Sequence, residues 1–223
     1  MDKKLFKEAM IKFSLGFTSV SILLFLPAGT FSWFGGQLLL GILFIPMFFA
    51  GIVMMVKNPT LLEKRLRARE TRKEQSLVIK LSGLMFLLGF ILAGLGVRFH
   101  WYMLPRGVQT GAAVLFLASY MLYGEVLREN TYLSRTIEVQ DGQRVIDTGL
   151  YGIVRHPMYS VTVVLFLSMP LVLGSLYAFL IFLSYPFILV KRIRNEEELL
   201  EKELEGYKEY KEKVKYRLVP LVW

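Results

Sequence analysis

Between Trp33 and Val56 the chain runs for 24 residues without one charged side chain. A helix of that length rises about 36 Å, enough to cross ~30 Å of bilayer hydrocarbon, which takes about 20 residues. No soluble fold exposes or buries such runs repeatedly, and here they recur. Further apolar stretches cover Ile11–Ala28, Leu77–Val97, about Leu104–Leu127 and Met158–Val190. Pro46 marks a kink in the second. The last is too long for one crossing. Pro170 and Gly174 divide it, which predicts a hairpin of two short helices at about 158–172 and 175–191. The expectation is an all-α integral membrane protein of about six transmembrane segments, four spans plus a C-terminal helical hairpin.

Composition narrows the chemistry. The chain has no cysteine, which excludes disulfides, thiolate metal sites and a cysteine nucleophile. Its two histidines, His100 and His156, lie far apart, so no metal site is expected. The formal charge of +9 reads as a topology signal and as attraction to anionic lipid headgroups, not as a nucleic-acid footprint. Lysines and arginines crowd the N-terminal segment and the 57–80 loop, while the 98–106 segment carries only Arg98 and Arg106. The N-terminus, the 57–80 loop, residues 128–157 and the C-terminal segment are thus expected in the cytoplasm. The first apolar run reads as a retained span, not as a cleaved signal peptide.

Polar residues gather on that cytoplasmic face. Within TIEVQDGQRVID, Asp141-Gly142 is the preferred pair for a type I′ turn. It predicts a β-hairpin with arms Thr136–Gln140 and Gln143–Asp147. After it, GLYGIVRHPMYS places Arg155 and His156 at the mouth of a transmembrane helix, with Pro157 at its first turn. Beyond the membrane hairpin, the segment RNEEELLEKELEGYKEYKEKVKYRLVP reads as a charged amphipathic helix ended by Pro220. Each motif alone has a bland reading: snorkelling cations at the interface, or acidic residues favoured by a helix dipole. Together they describe two polar clusters that the hairpin returns to one face.

At these residues the chain resembles the isoprenylcysteine carboxyl methyltransferase and phospholipid N-methyltransferase superfamily of integral membrane enzymes. The likeness rests on QRVIDTGLYGIV, on Arg-His-Pro-Met-Tyr and on RNEEELL…LEGYKEYKEKVKYRLVP, over roughly residues 125–223. Leu150 departs from the proline common before the tyrosine, which affects the turn more than the chemistry. The resemblance divides the chain into N-terminal spans (1–127) and a methyltransferase core (128–223). That core comprises a cofactor-binding elbow (128–157), a membrane hairpin (158–191) and a C-terminal helix (192–223). It implies an S-adenosylmethionine site formed by Gln143, Arg144, Val145 and Ile146, by Tyr151, His156, Pro157, Met158 and Tyr159, and by an acidic residue. Glu196, Glu197 and Glu198 compete for the last role, with Glu197 favoured. It also implies an arginine that contacts the acceptor, for which Arg194 is the nearest match, with His156 as the other candidate catalytic group. The acceptor is expected to be hydrophobic or lipid-linked and to enter from the bilayer.

The chemistry suits these residue types. A glutamate accepts from the ammonium or ribose hydroxyls of such a cofactor, and aromatic faces attract a sulfonium by ~0.5–2 kcal/mol. A carboxylate acceptor needs no general base; an amine or hydroxyl does, and His156 or a glutamate would be the candidates. One alternative is an NADPH-dependent membrane reductase of the sterol reductase type. That family has a similar Arg-His-Pro motif, commonly with asparagine where this chain has Met158. A non-enzymatic scaffold or transporter is the other, although midplane charges are nearly absent from the spans.

Overall fold

The computed structural model describes residues 3–67, 73–130, 132 and 139–223. Helix α1 (Lys3–Ala28), α2 (Phe34–Lys57), α4 (Lys73–Arg98) and α5 (Arg106–Glu129) correspond to the four expected spans; α1 begins well before Ile11, α4 is longer at both ends, and α2 and α5 are shifted slightly toward the C-terminus. A short amphipathic helix, α3 (Pro59–Arg67), occupies part of the 57–80 region that the sequence reads as a loop. Helix α6 (Pro157–Val172) stops where Pro170 and Gly174 break the apolar run, and Ser175 caps α7 (Leu176–Phe182) by accepting from the Ala178 amide.

The second arm of the hairpin differs from expectation. Pro186 has no N–H for the Phe182 carbonyl, so the chain breaks at Leu183–Ser184 and restarts as α8 (Tyr185–Glu203). Helix α8 does not stop at residue 191. It leaves the apolar region and continues into the charged segment, so membrane arm and polar helix are one element. The break comes instead at Gly206, whose φ of 81° ordinary residues avoid, and α9 (Tyr207–Lys213) follows. Pro220 lies seven residues beyond its end.

Among the described residues, five helices are long and apolar enough to cross a membrane: Lys3–Ala28, Phe34–Lys57, Ser76–Arg98, Arg106–Glu129 and Leu176–Glu203, the last counted across the Leu183–Ser184 break. Pro157–Val172 is a shorter apolar helix. No strand occurs among the described residues. Most of the first arm of the expected β-hairpin, residues 136–138, lies outside them. The turn itself exists: the Gln143 amide donates to the Gln140 carbonyl at 3.0 Å. Only Gly142 has positive φ, at 69°. A type I′ turn needs it at Asp141 too, so this is a type II-like turn, which does not suit hairpin twist.

The core lies between α1, α4, α5, α6 and α7. Phe116, Leu24, Leu173 and Phe182 are fully buried there. Helix α5 packs along α6 and α1 along α4. Two ends are distinct. At the far end, Met103 pairs with Ser175 in an isolated bridge. At the basic end, Arg67 and Lys12 meet Glu8, and the ends of α5 and α8 converge on the start of α6.

Candidate functional site

Arg155 and His156 precede α6 in an extended turn that Pro157 terminates. Both are buried, with relative exposures of 6% and 5%. They are held from the far side of the sequence. The amides of Arg155 and His156 donate to the carbonyls of Tyr216 (2.9 Å) and Arg217 (3.0 Å), and Arg155 Nη1 donates to those of Val214 and Lys215. Ser160 Oγ donates to the Leu218 carbonyl. The C-terminal segment is thereby strapped across the elbow.

Glu197 is the centre of this arrangement. Arg155 Nε donates to its Oε1 at 2.8 Å, His156 Nε2 lies 3.3 Å from the same oxygen, and Arg217 Nε donates to Oε2 at 2.8 Å. A carboxylate only 3% exposed needs such partners, because an unpaired buried charge is costly. Both its oxygens are thus engaged by the protein. It stands on the buried stripe Leu189–Ile193–Glu197, one step of four after another along α8.

Beside this knot opens a cleft. The segment Gln143, Arg144, Val145 and Ile146 lines one side, and Tyr151, His156, Met158 and Tyr159 form its base. Helix α8 contributes Arg192, Glu196 and Leu200, and α9 contributes Tyr207 and Tyr210. Pro157 lies behind this surface and sets the turn. Arg194 is exposed and lines no part of the cleft; Arg192, two residues earlier, does. Glu196, and not the favoured Glu197, faces the opening. The two polar clusters do converge, as the hairpin argument requires.

Three groups give the cleft its character. Arg192 Nε donates to the Tyr159 hydroxyl at 2.8 Å, and that hydroxyl donates to Glu196 Oε2 at 2.5 Å. The His156 ring stacks on Tyr159 at 5.6 Å. The Tyr207 hydroxyl is buried and meets no hydrogen-bond partner among the described residues. Burial, then the nearby carboxylates of Glu197 and Glu196, push its phenol above the ordinary value of 10.0, so it remains a neutral donor. Tyr210 instead donates to the Tyr151 carbonyl at 2.7 Å, pinning α9 to the 3₁₀ turn Gly149–Gly152. Sequence reasoning missed Arg192, Tyr207 and Arg217. Phasing α8 from Leu189 would have found the first.

The cleft narrows to about 90 Å³ inside, so a ligand of nucleoside size would fill its open mouth as well. An unpartnered buried donor, a carboxylate and stacked aromatic rings fit a ligand with hydroxyls, a cationic group and a flat ring. Over 91 residues the chain is 33% identical to the Delta(14)-sterol reductase TM7SF2 of Mus musculus. That alignment covers 40% of this chain and 22% of the reductase. Residues 111–202, from the first third of α5 to nearly the end of α8, match the Isoprenylcysteine carboxyl methyltransferase (ICMT) family. Residues 111–202 therefore resemble the isoprenylcysteine carboxyl methyltransferase family, and they are set among apolar helices long enough to cross a membrane.

Proposed function

We propose that the protein is an integral membrane methyltransferase that uses S-adenosylmethionine, bound in the cleft between the Arg155–Tyr159 elbow and helices α8 and α9. The observation that carries this reading is the buried Tyr207 hydroxyl, without a partner among the described residues, on a side chain that lines the same cleft as Glu196. The bias of Lys and Arg toward the basic end supports a cytoplasmic position for that cleft and for both described ends of the chain.

S-adenosylmethionine, when bound, supplies an electrophilic methyl group on a sulfonium. The chain's own residues do the rest. Tyr207 donates to an oxygen of the ligand, and Glu196 accepts from its hydroxyls or ammonium. Tyr159 and Tyr151 offer aromatic faces to positive charge. Val145, Leu200 and Leu204 cover flat apolar surface. Glu197 and Arg217 stand behind the cleft and, with Arg155 at its edge, hold the elbow against α8 so that these groups keep their spacing. His156 has its Nε2 committed to Glu197, which makes it a positioning residue. Arg192, which reaches the wall of the cleft, takes the acceptor-side role that its register denies Arg194. Positioning of donor and acceptor supplies the catalysis.

The test is calorimetric titration of detergent-purified protein with S-adenosylmethionine, S-adenosylhomocysteine and NADPH. Both adenosyl compounds should bind. Glu196→Gln should weaken them about tenfold, the worth of one hydrogen bond to a charged group, and Arg194→Gln should leave them unchanged. The reductase likeness supports a second reading, in which NADPH occupies this cleft. Binding of NADPH with no adenosyl binding would replace the first reading with the second.

A further inference from the structure

The end of α5 does more than finish a span. Its last turn presents Val126 and Glu129 on one face. Val126 is fully buried against Tyr151 and Val161. Glu129 reaches the backbone behind the Tyr151 ring: its Oε1 accepts from the Thr148 hydroxyl at 2.9 Å and its Oε2 from the Leu150 amide at 3.3 Å. Both donors belong to the start of the 3₁₀ turn Gly149–Gly152, which carries Tyr151. An amide at the start of a helical turn has no partner inside it. Thr148 stands at the capping position but makes no side-chain cap; Glu129 takes that part from a different helix. The neighbouring cation does not compete, because Arg128 is bound to Glu125. Gly149 makes room for the carboxylate: its φ is 50°, and a Cβ there would lie 2.6 Å from Glu129 Cδ. Beyond the turn, the Tyr151 side chain forms part of the base of the cleft, and its carbonyl accepts from Tyr210 of α9. One carboxylate thus ties the end of a span to the cleft.

We propose that Glu129 is a positioning residue for the sulfonium of the methyl donor: it fixes the turn that sets the Tyr151 ring in the cleft. The sulfonium rests on the methyltransferase reading; the tie from Glu129 to Tyr151 does not. An aromatic ring attracts a cation that lies over its face within about 6 Å of the centroid. A small shift of the turn therefore weakens that attraction and leaves the hydrogen bonds to the rest of the ligand in place. Glu129 stands behind the cleft and acts through Tyr151. The turn needs two polar groups at that spot, not a charge. Glutamine supplies them, since its carbonyl can accept from the Leu150 amide while its own amide donates to the Thr148 hydroxyl. Aspartate is one methylene shorter and does not reach both.

The experiment uses the whole detergent-purified protein with 3-fluorotyrosine at its 11 tyrosines. Fluorine NMR reads the tyrosines, with Tyr151→Phe and Tyr177→Phe assigning two of the lines. S-adenosylmethionine and S-adenosylhomocysteine are titrated in parallel. Glu129→Ala should move or broaden the Tyr151 line and leave that of Tyr177, on α7, in place. It should also lower the ratio of S-adenosylmethionine to S-adenosylhomocysteine affinity at least about threefold, since only the first carries the sulfonium. Glu129→Gln should keep both properties of the unaltered protein, and Glu125→Gln, one turn earlier on α5, should change neither. In a Tyr151→Leu background Glu129→Ala should no longer alter the ratio, because the two residues act in one chain. A Tyr151 line that Glu129→Ala does not move, or an equal loss of both affinities, overturns the proposal, and so do additive effects in the double variant. If Glu129→Ala does not fold, Glu129→Asp answers the same questions. If the unaltered protein binds neither adenosyl compound, the methyltransferase reading falls and the sulfonium with it, while the fluorine line still decides whether Glu129 places Tyr151.

Discussion

Where α1 crosses α4, no charge is buried among the described residues. Gly94 presses against the Leu24 carbonyl and Pro27, and Ala93, Leu24 and Phe90 fill the surroundings. Where the elbow meets α8, two arginines and a histidine surround one buried carboxylate. Lipid tails are as apolar as leucine, so the first contact gains nothing from excluding water and depends on close packing. The second is built of charges whose desolvation is repaid only while every partner is present. The seam should therefore resist the addition of atoms at its close approach, and the knot should resist the loss of any one of its partners.

The sharpest way to break this contrast is Glu197→Ala. It leaves Arg155 buried without its counter-ion, and removal of one partner from such a pair costs about 3–5 kcal/mol. Thermal unfolding in detergent should show a large drop in midpoint, with aggregation. A variant that melts like the unaltered protein would mean the knot is ornamental and would return Glu197 to the ligand-contacting role that the resemblance favours.

Gly94→Ala should come next. A Cβ there would lie 2.6 Å from the Leu24 carbonyl oxygen and 3.1 Å from the Ala28 amide nitrogen. Both are backbone and cannot rotate aside, so overpacking of about 1–3 kcal/mol is expected. Gly83→Ala, on the same helix but facing open space, should be neutral or gain up to about 1 kcal/mol from helix propensity. Equal melting of the two variants would show that α1 and α4 do not depend on this close approach.

The same contrast explains what could be read from sequence. The spans were legible because a long uncharged run has one physical reading, and Pro170 with Gly174 marked a break that formed where expected. The elbow was legible because Arg, His and Pro at a helix mouth are hard to explain otherwise. The role of each glutamate was not. Treating the charged segment as a new helix discarded the phase set by Leu189 and Ile193, which puts Glu197 inward and Glu196 on the cleft. Arg194 was displaced by Arg192 for the same reason. Arg217 and Tyr207 come from a segment whose path depends on Gly206, and no periodicity announces where a chain goes after a left-handed turn.

The smallest effect should come from Asp147 and Lys213, the exposed pair that ties the 143–147 segment to α9 at 2.7 Å. The hydrogen bond from Lys213, then its charge, holds the Asp147 carboxyl below its ordinary value of 3.8. A carboxyl depressed in the folded state stabilises above its unfolded pKa and loses that contribution as pH falls through the lower folded value. Lys213→Gln should therefore lower the unfolding midpoint slightly and by a constant amount from pH 7 down to about pH 5. The gap should close below about pH 4, as Asp147 becomes neutral in both proteins. High salt should shrink it as well, because the pair is exposed. A gap that persisted at low pH would mean that Lys213 acts through packing of its stem against the cleft wall, and the outer rim would then behave like the seam and not like the knot.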